Sequence, residues 1–207
     1  MKIKHEGLDG LIESLSSDGK VLSTITYAHG VRSAVAEQFY ASGALKAREW
    51  WQEGEYHGLQ EYFFEDGSLK ARLPYQKGKL HGYSEIYWCR KVLKRKTRYI
   101  DHLRHGQDQL WNEAGQLVDE GCYYRGIPYG LHRQWYPNGK LKEKRFYLSD
   151  RKMNRWVYSK EGDLVFEGLF IDDIHYVQRE WTQAGELQRR SGTWHYNHMR
   201  WDDDNST

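Results

Sequence analysis

Three evenly spaced histidine-glycine pairs are the residues of this 207-residue chain that first suggest chemistry. They are His57-Gly58, His81-Gly82 and His105-Gly106, and each pair follows the previous one at the same interval. A catalytic base is needed once, in one geometry, so a histidine that returns at a fixed interval indicates a structural position. The recurrence therefore predicts a repeated fold, and it argues against a histidine-based active site.

Other patterns typical of enzymes are missing from the sequence. It contains no Gly-x-Ser-x-Gly motif, no phosphate-binding loop and no paired carboxylates in a recognisable context. His195, His198 and Asp202 could be considered as metal ligands, but they lie in an irregular tail without a fourth ligand. We therefore expect no catalytic residue, no metal and no cofactor, and we predict that the protein is not an enzyme.

The composition favours a thin, ring-rich fold. Aromatic residues make up 15% of the chain, charged residues 29%, and the mean hydropathy is −0.92. With few aliphatic side chains for a thick core, tyrosine and tryptophan must be buried with their polar ends near water or a partner. Two cysteines, Cys89 and Cys122, are too few for a disulfide framework, and no apolar run has the length of a signal peptide or membrane span. We expect a cytoplasmic protein.

The strongest pattern is a repeat of about 24 residues that becomes one residue shorter at the last two steps. A typical unit has a glycine, a ring four residues before it, Leu or Val two residues after it and a second ring eight residues after it. The first unit has Leu15 in place of the first ring. In the fourth unit Lys91 takes the place of the glycine. The glycines are Gly19, Gly43, Gly67, Gly115, Gly139, Gly162 and Gly185.

Within a unit the spacing is that of a β-hairpin. Around Gly67 we expect a type I turn closed by a left-handed glycine, which pairs Phe63 with Leu69. Leu69, Leu73 and Tyr75 alternate with polar residues, as in a strand with one packed face. This arrangement predicts that the ring column and the leucine column share one face and form the core.

The repeat predicts an all-β fold, an elongated single-layer antiparallel β-meander of about eight hairpin repeats of 23–24 residues. We expect one domain over residues 1–207, with atypical capping ends at 1–14 and 195–207. A step shortened by one residue would reverse the facing of the strands, so loops or bulges near Asn154 and Val177 must absorb the missing residue.

The units resemble the MORN-repeat variant of bacterial proteins, many of which are antitoxin-like. The clearest match is Phe63-x3-Gly67-x7-Tyr75-x2-Gly78-x3-Gly82, and the units that begin at Phe39 and Trp111 repeat it. The resemblance implies the hairpin-repeat fold and an interaction protein, with toxin neutralisation or scaffolding as its role.

Charge is segregated along the chain. Residues 37–66 contain seven acids and two bases, whereas residues 90–105 contain seven bases and one acid. By strand alternation we expect Arg95 on the face of the leucine column and Lys94, Lys96 and Arg98 on the other face. These bases could be a solvated surface or the place where the repeats meet an acidic partner.

The second face is our predicted binding surface, because rings and arginines dominate protein-binding hot spots. The leading hypothesis is an antitoxin or immunity protein that binds a bacterial toxin or effector, and the alternative is a scaffold or a module that binds anionic lipid surfaces. Nucleic acid is disfavoured because the rest of the chain is acidic. The predicted partner-binding residues are Tyr40, Trp50, Tyr62, Phe64, Lys70, Arg72, Lys94, Lys96, Arg98 and Tyr124; Tyr136 and Phe146 are further rings expected on the same face.

Overall fold

The computed structural model describes residues 7–182, 185–195 and 200–203. The described chain divides into two compact units, Met1–Gly115 and Gln116–Thr207. Among these residues we find no apolar helix of membrane-spanning length. Residues 1–6 and most of the predicted cap at 195–207, including His198, lie outside the described residues. The single-domain organisation stays a prediction.

The N-terminal unit is an antiparallel meander. Consecutive strands pair, and the two-residue strands β5 and β8 interrupt the pairing of β4 with β6 and of β7 with β9. A 3-10 turn, Cys89–Lys91, separates β9 from β10. The strands are β1 (Gly10–Leu15), β2 (Val21–Ala28), β3 (Val31–Phe39), β4 (Leu45–Gln52), β5 (Glu55–Tyr56), β6 (Gly58–Phe63), β7 (Leu69–Gln76), β8 (Lys79–Leu80), β9 (Gly82–Tyr87), β10 (Leu93–Ile100) and β11 (Leu103–Trp111).

The C-terminal unit repeats this architecture, and each of its strands pairs antiparallel with the next along the chain. The predicted all-β meander of hairpin repeats is confirmed in both units. The strands are β12 (Leu117–Tyr124), β13 (Ile127–Trp135), β14 (Leu141–Tyr147), β15 (Met153–Tyr158), β16 (Leu164–Phe170), β17 (His175–Trp181), β18 (Leu187–His195) and β19 (Arg200–Asp203).

The glycine turn has the predicted geometry. The Gly67 N–H donates to the Phe64 carbonyl at 2.9 Å, and the Phe64 N–H donates to the Ser68 carbonyl at 2.8 Å. Gly67 has a φ of 78°, in the left-handed region that glycine tolerates best. Lys91, which takes the place of glycine in the fourth unit, adopts a φ of 63°. The left-handed backbone conformation at this turn position therefore explains why glycine recurs there.

A bulge after this turn places some side chains on the opposite face from the one that the sequence predicted. Phe63 pairs with Leu69 as expected, but Tyr62 pairs with Ala71, so Lys70 is an extra residue in β7. A one-residue insertion exchanges the two faces of a strand beyond it. Phe63 alternates with Tyr62 along β6 and so lies on the opposite face from Tyr62 and Ala71. The prediction that the ring column packs with Leu73 and Tyr75 is therefore wrong.

In the two short repeats the strands keep the same facing as in the other repeats, because the hairpin that leads into each of them has no bulge. In regular units the inter-repeat hairpin contains a register shift, as between Glu120 and Cys122. The hairpins of β14 with β15 and of β16 with β17 pair without a shift. Loops at residues 148–152 and 171–174 connect these strands. The prediction that loops and bulges absorb the missing residue is confirmed.

The N-terminal sheet has two chemically different faces. One, which we call the tyrosine face, carries Trp51, Tyr56, Tyr62 and Tyr75, and the rings of Tyr56 and Tyr75 lie 5.1 Å apart. The other, the charge-row face, is described below. Most of the buried residues of this unit lie on the tyrosine face, and many of them are polar. They are Tyr27, Ala36, Ala47, Glu49, Gln60, Ser84, Thr97 and Asp108.

Buried polar side chains replace backbone hydrogen bonds where the repeat bulges. Gln60 is fully buried; its Oε1 accepts from the Trp50 N–H at 2.8 Å, and its Nε2 donates to the Trp50 carbonyl at 3.0 Å. In the C-terminal unit, His132 Nε2 lies 2.8 Å from the Cys122 carbonyl oxygen. The Gln60 side chain thus gives the Trp50 N–H a partner that an apolar side chain could not provide.

Candidate protein-binding face

A row of ion pairs crosses the strands of the N-terminal unit. Glu37 pairs with Arg48, Glu61 with Arg72, and Glu85 with Lys96, at nitrogen-oxygen distances of 2.8, 3.3 and 3.1 Å. Arg48 is also opposite Glu61 across the strands, and Arg72 is opposite Glu85. The six side chains therefore form one continuous row of alternating sign, which defines the charge-row face.

Two exposed rings, an exposed leucine and an arginine lie beside this row. Trp50, Leu59 and Tyr83 are 44%, 37% and 53% exposed. Tyr83 pairs with Arg98 across β9 and β10, and the Arg98 guanidinium lies 5.9 Å from the Tyr83 ring centre. Each of these four residues lies two positions along its strand from a residue of the charged row. Side chains two positions apart point to the same side of a sheet, so all four belong to the charge-row face. Large rings and arginine on one exposed surface are typical of binding hot spots.

A different set of rings joins neighbouring repeats at the hairpin ends. The Tyr40 hydroxyl donates to the Phe63 carbonyl at 2.9 Å, and Trp88 Nε1 donates to the Trp111 carbonyl at 3.0 Å. A lysine six residues later stacks on each of these rings, as Lys46 does on Tyr40 at 5.8 Å. These rings have a structural role in addition to any role in binding.

The structure distributes the ten predicted binding residues over several environments. Trp50, Arg72, Lys96 and Arg98 lie on the charge-row face. Tyr40, Phe64, Lys70 and Lys94 form ring-lysine pairs at the hairpin ends. Tyr124 belongs to the C-terminal unit and is 57% exposed. Of the two further rings, Tyr136 donates its hydroxyl to the Tyr158 carbonyl, and Phe146 is 42% exposed.

Tyr62 does not lie on the second face, where the sequence placed it. Its hydroxyl is 3.4 Å from Glu49 Oε1 on the tyrosine face. Tyr56 donates to the same carboxylate oxygen at 2.9 Å. Burial, together with the nearby Glu49 carboxylate, raises the pKa of both phenols. The cause of the error is the extra residue in each repeat, which the sequence pattern does not reveal.

The basic segment at residues 90–105 is divided between the two faces, with Arg95 on the tyrosine face and Lys96 and Arg98 on the charge-row face. The prediction that Arg95 shares the face of Leu93 is wrong, because a register shift separates the two residues. Arg95 donates through Nε to Asp108 Oδ1 at 2.9 Å, and Thr97 donates to the same oxygen at 2.6 Å. Arg104 Nη1 lies 3.2 Å from Asp108 Oδ2. Burial opposes the ionisation of Asp108, but these donors outweigh it and hold its pKa below the usual value. Two of the bases thus neutralise a buried carboxylate.

The recurring histidines of the His-Gly pairs form backbone hydrogen bonds between neighbouring strands. The His57 N–H donates to the Trp50 carbonyl and the His81 N–H to the Pro74 carbonyl, both at 2.9 Å. Lys77 and Gly78 of the preceding turn have φ values of 49° and 74°, so two successive residues are left-handed. No group of His, Cys, Asp or Glu among the described residues is arranged to hold a metal ion.

The charged row has a sequence signal that reasoning from the rings and glycines missed. Glutamate recurs at the repeat interval, at Glu37, Glu61 and Glu85. A base follows each glutamate at one constant spacing, at Arg48, Arg72 and Lys96. Such paired columns of opposite charge indicate cross-strand neighbours, and they could have been read without the structure.

Comparison with protein families identifies the repeat. The model of the MORN repeat variant matches residues 56–77, in the N-terminal unit, and residues 128–148, in the C-terminal unit. Comparison with curated proteins gives no match. The matched segments are hairpins of the kind described above, so family and fold agree.

Proposed function

This chain is a MORN-repeat-variant protein, and on that basis we propose that it is a bacterial antitoxin or immunity protein. It acts by direct contact, binding a toxin or effector protein in the cytoplasm and blocking it without catalysis. The observation that carries the proposal is the group of exposed side chains on the charge-row face, namely Trp50, Leu59, Tyr83 and Arg98. Exposed rings beside an arginine are typical of the residues that dominate protein-binding interfaces.

The roles of the buried carboxylates support a protein without catalysis. Glu49 accepts from Tyr56, and Asp108 is held by Arg95 and Thr97. In the C-terminal unit Glu143 accepts from Arg145 at 2.7 Å and from Arg155 at 2.6 Å. Each of these acids holds strands together. The exposed free thiol of Cys89 is compatible with a reducing compartment.

The alternative, a module that binds anionic lipid, has less support. Arg95 and Arg104 of the basic segment bond to Asp108, and Lys96 pairs with Glu85. A lipid-binding footprint needs several cations directed toward one surface, and these three are already neutralised.

Growth rescue tests the proposal. A toxin gene from the neighbourhood of this gene is induced with and without this chain, and we expect the chain to restore growth and to bind the toxin in one stoichiometric complex. The double variant Trp50→Ala/Tyr83→Ala should lose rescue and weaken binding at least tenfold, the loss of two hot-spot rings. Phe146→Ala is the matched control, because Phe146 has the same repeat position as Trp50 and is 42% exposed. Equal rescue by the double variant and the wild type would contradict the proposed surface.

A further inference from the structure

One position of the repeat, on the tyrosine face, carries a small side chain in strand β3 and polar side chains in the later strands. Ala36 holds this position in β3 and is 3% exposed. At the same position of the following repeats stand Gln60, Ser84, Asp108 and His132, which are all buried. Each of these four side chains forms a hydrogen bond with a neighbouring strand. Alanine has no atoms beyond Cβ, so the space that Gln60 fills in the next repeat is left open beside Ala36.

A cleft of about 330 Å³ lies at this place, between side chains of β2, β3 and β4. Small-molecule sites have volumes of roughly 300–1,000 Å³, so this cleft suits a small ligand. Glu49, which is directly opposite Ala36 on β4, is one of its lining residues. Two bases, Arg32 and Lys46, also line it. Its apolar wall is formed by Leu22, Ile25 and Phe39.

Within the described ranges, Glu49 is a buried carboxylate that no base pairs with. Two phenols contact it: the Tyr56 hydroxyl donates to Oε1 at 2.9 Å, and the Tyr62 hydroxyl lies 3.4 Å from the same oxygen. Two other buried carboxylates, Asp108 and Glu143, are each paired with two arginines. Burying a charge is costly unless it is paired, so a cation is the group that Glu49 lacks.

The two bases of the cleft lie against rings. The Arg32 guanidinium is 4.9 Å from the ring centre of Trp51, and the Lys46 ammonium is 5.8 Å from that of Tyr40. Neither base forms an ion pair with an acid in the part of the chain that the structure describes. A guanidinium that lies over a ring can still donate from its N–H edge. The cleft therefore presents one acid and two bases that are not paired with one another.

We propose that this cleft binds a free α-amino acid with an apolar side chain. The ammonium group of the ligand pairs with Glu49, and its carboxylate pairs with Arg32 and Lys46. The side chain of the ligand packs against the apolar wall. The site lies on the tyrosine face, whereas the surface proposed above for the toxin lies on the charge-row face, so the two functions are independent.

The charges of the cleft select a ligand that carries both signs. A simple cation attracted to Glu49 would be repelled by Arg32 and Lys46, and a simple anion attracted to these bases would be repelled by Glu49. A lysine or aspartate side chain of a partner protein brings one sign only. An α-amino acid brings an ammonium and a carboxylate on one small molecule, and it satisfies all three groups.

Ligand-observed NMR on the full chain, titrated with L-leucine, tests the inference. We expect saturable binding with a dissociation constant of about 1 mM or tighter, as for a ligand of this size. Three comparison molecules each lack one part of leucine: glycine lacks the apolar side chain, isocaproate the ammonium and isoamylamine the carboxylate. Each should bind at least tenfold more weakly than leucine, because each loses one set of contacts.

Substitutions locate the site. Ala36→Gln fills the cleft with the side chain that the next repeat has at this position, and it should weaken leucine binding at least tenfold. Glu49→Gln keeps an acceptor for the Tyr56 hydroxyl and removes the charge, so it should weaken binding about tenfold. Glu37→Gln is the matched control, because Glu37 follows Ala36 on β3 and pairs with Arg48 on the charge-row face. It should bind leucine as the wild type does.

Thermal unfolding gives a second readout. Leucine at ten times its dissociation constant should raise the midpoint for the wild type and for Glu37→Gln, and it should leave the midpoint of Ala36→Gln unchanged. Circular dichroism confirms that each variant is folded. The inference is overturned if leucine does not bind, if isocaproate or isoamylamine binds as tightly as leucine, or if Ala36→Gln and Glu49→Gln bind leucine like the wild type.

Discussion

The imidazole ring of His132 lies directly against the backbone of Gly121. A Cβ atom on Gly121 would overlap His132 Nδ1, closer than real Cβ contacts come. His132 is buried and makes edge contacts with the rings of Tyr123 and Tyr147, at 5.2 and 4.7 Å between ring centres. The ring cannot move aside without disturbing this stack.

Gly121→Ala should therefore destabilise the protein by about 3 kcal/mol, the upper range for overpacking a well-packed site. The measurement is urea unfolding followed by circular dichroism. Gly67→Ala is the control, since nothing lies within 4 Å of a Cβ there and its cost comes from the φ of 78° alone, about 1 kcal/mol. In a His132→Ala background the Gly121→Ala substitution should cost less, and an unchanged cost would show that the ring is not the cause.

Tyr40→Phe should lower the unfolding free energy by about 1 kcal/mol, the usual contribution of one hydrogen bond. The substitution removes the hydroxyl that donates to the Phe63 carbonyl and keeps the ring beneath Lys46. Thermal unfolding measures the change. Tyr129→Phe is the matched control, because Tyr129 is 48% exposed, and it should alter stability by less than about 0.5 kcal/mol. Equal effects of the two substitutions would argue against the contact between repeats.

Lys91→Gly should stabilise the protein by about 0.5 to 1 kcal/mol, because Lys91 holds a φ of 63°, which is unfavourable for a residue with a Cβ atom and normal for glycine. The change restores the glycine found at this position in the other repeats. The midpoint of urea unfolding should rise, whereas Lys70→Gly, within strand β7, should lower it. A fall in the midpoint for Lys91→Gly would mean that the lysine side chain makes a contact that outweighs the strain.

Asp108→Asn should lower stability at pH 7 by about 2 kcal/mol, because it removes charged hydrogen bonds to Arg95 and Thr97. The pKa of Asp108 is lower in the folded protein than in the unfolded chain. A group of this kind adds stability above its unfolded pKa of about 3.9, and that stability is lost as the pH falls through the folded value. The difference between wild type and variant should therefore shrink below about pH 4.

Urea unfolding at pH 7 and pH 3 measures this dependence. Glu113→Gln, at an exposed turn position, is the control and should show little difference from wild type at either pH. A gap between wild type and Asp108→Asn that stays constant down to pH 3 would contradict the linkage.

The sequence alone determined the repeat and the geometry of its glycine turn. The spacing of Gly67, Phe63 and Leu69 is enough to predict the turn and its first pair, because turn chemistry is local and acts between near neighbours in the chain. Because the same spacing recurs at a nearly constant interval, the turn could then be predicted in the other units as well. The recurrence also identified His57 and His81 as parts of the repeat.

Tertiary structure decided which side chains share a face and which are neutralised. The extra residue at Lys70 moves Tyr62 to the tyrosine face, and a one-residue bulge that returns in each unit leaves no mark on the repeat period. Pairing of Glu61 with Arg72, or of Asp108 with Arg95, depends on strand register between distant residues. Exposure depends on the whole sheet, so the group formed by Trp50, Leu59 and Tyr83 became visible only once the strands were placed side by side.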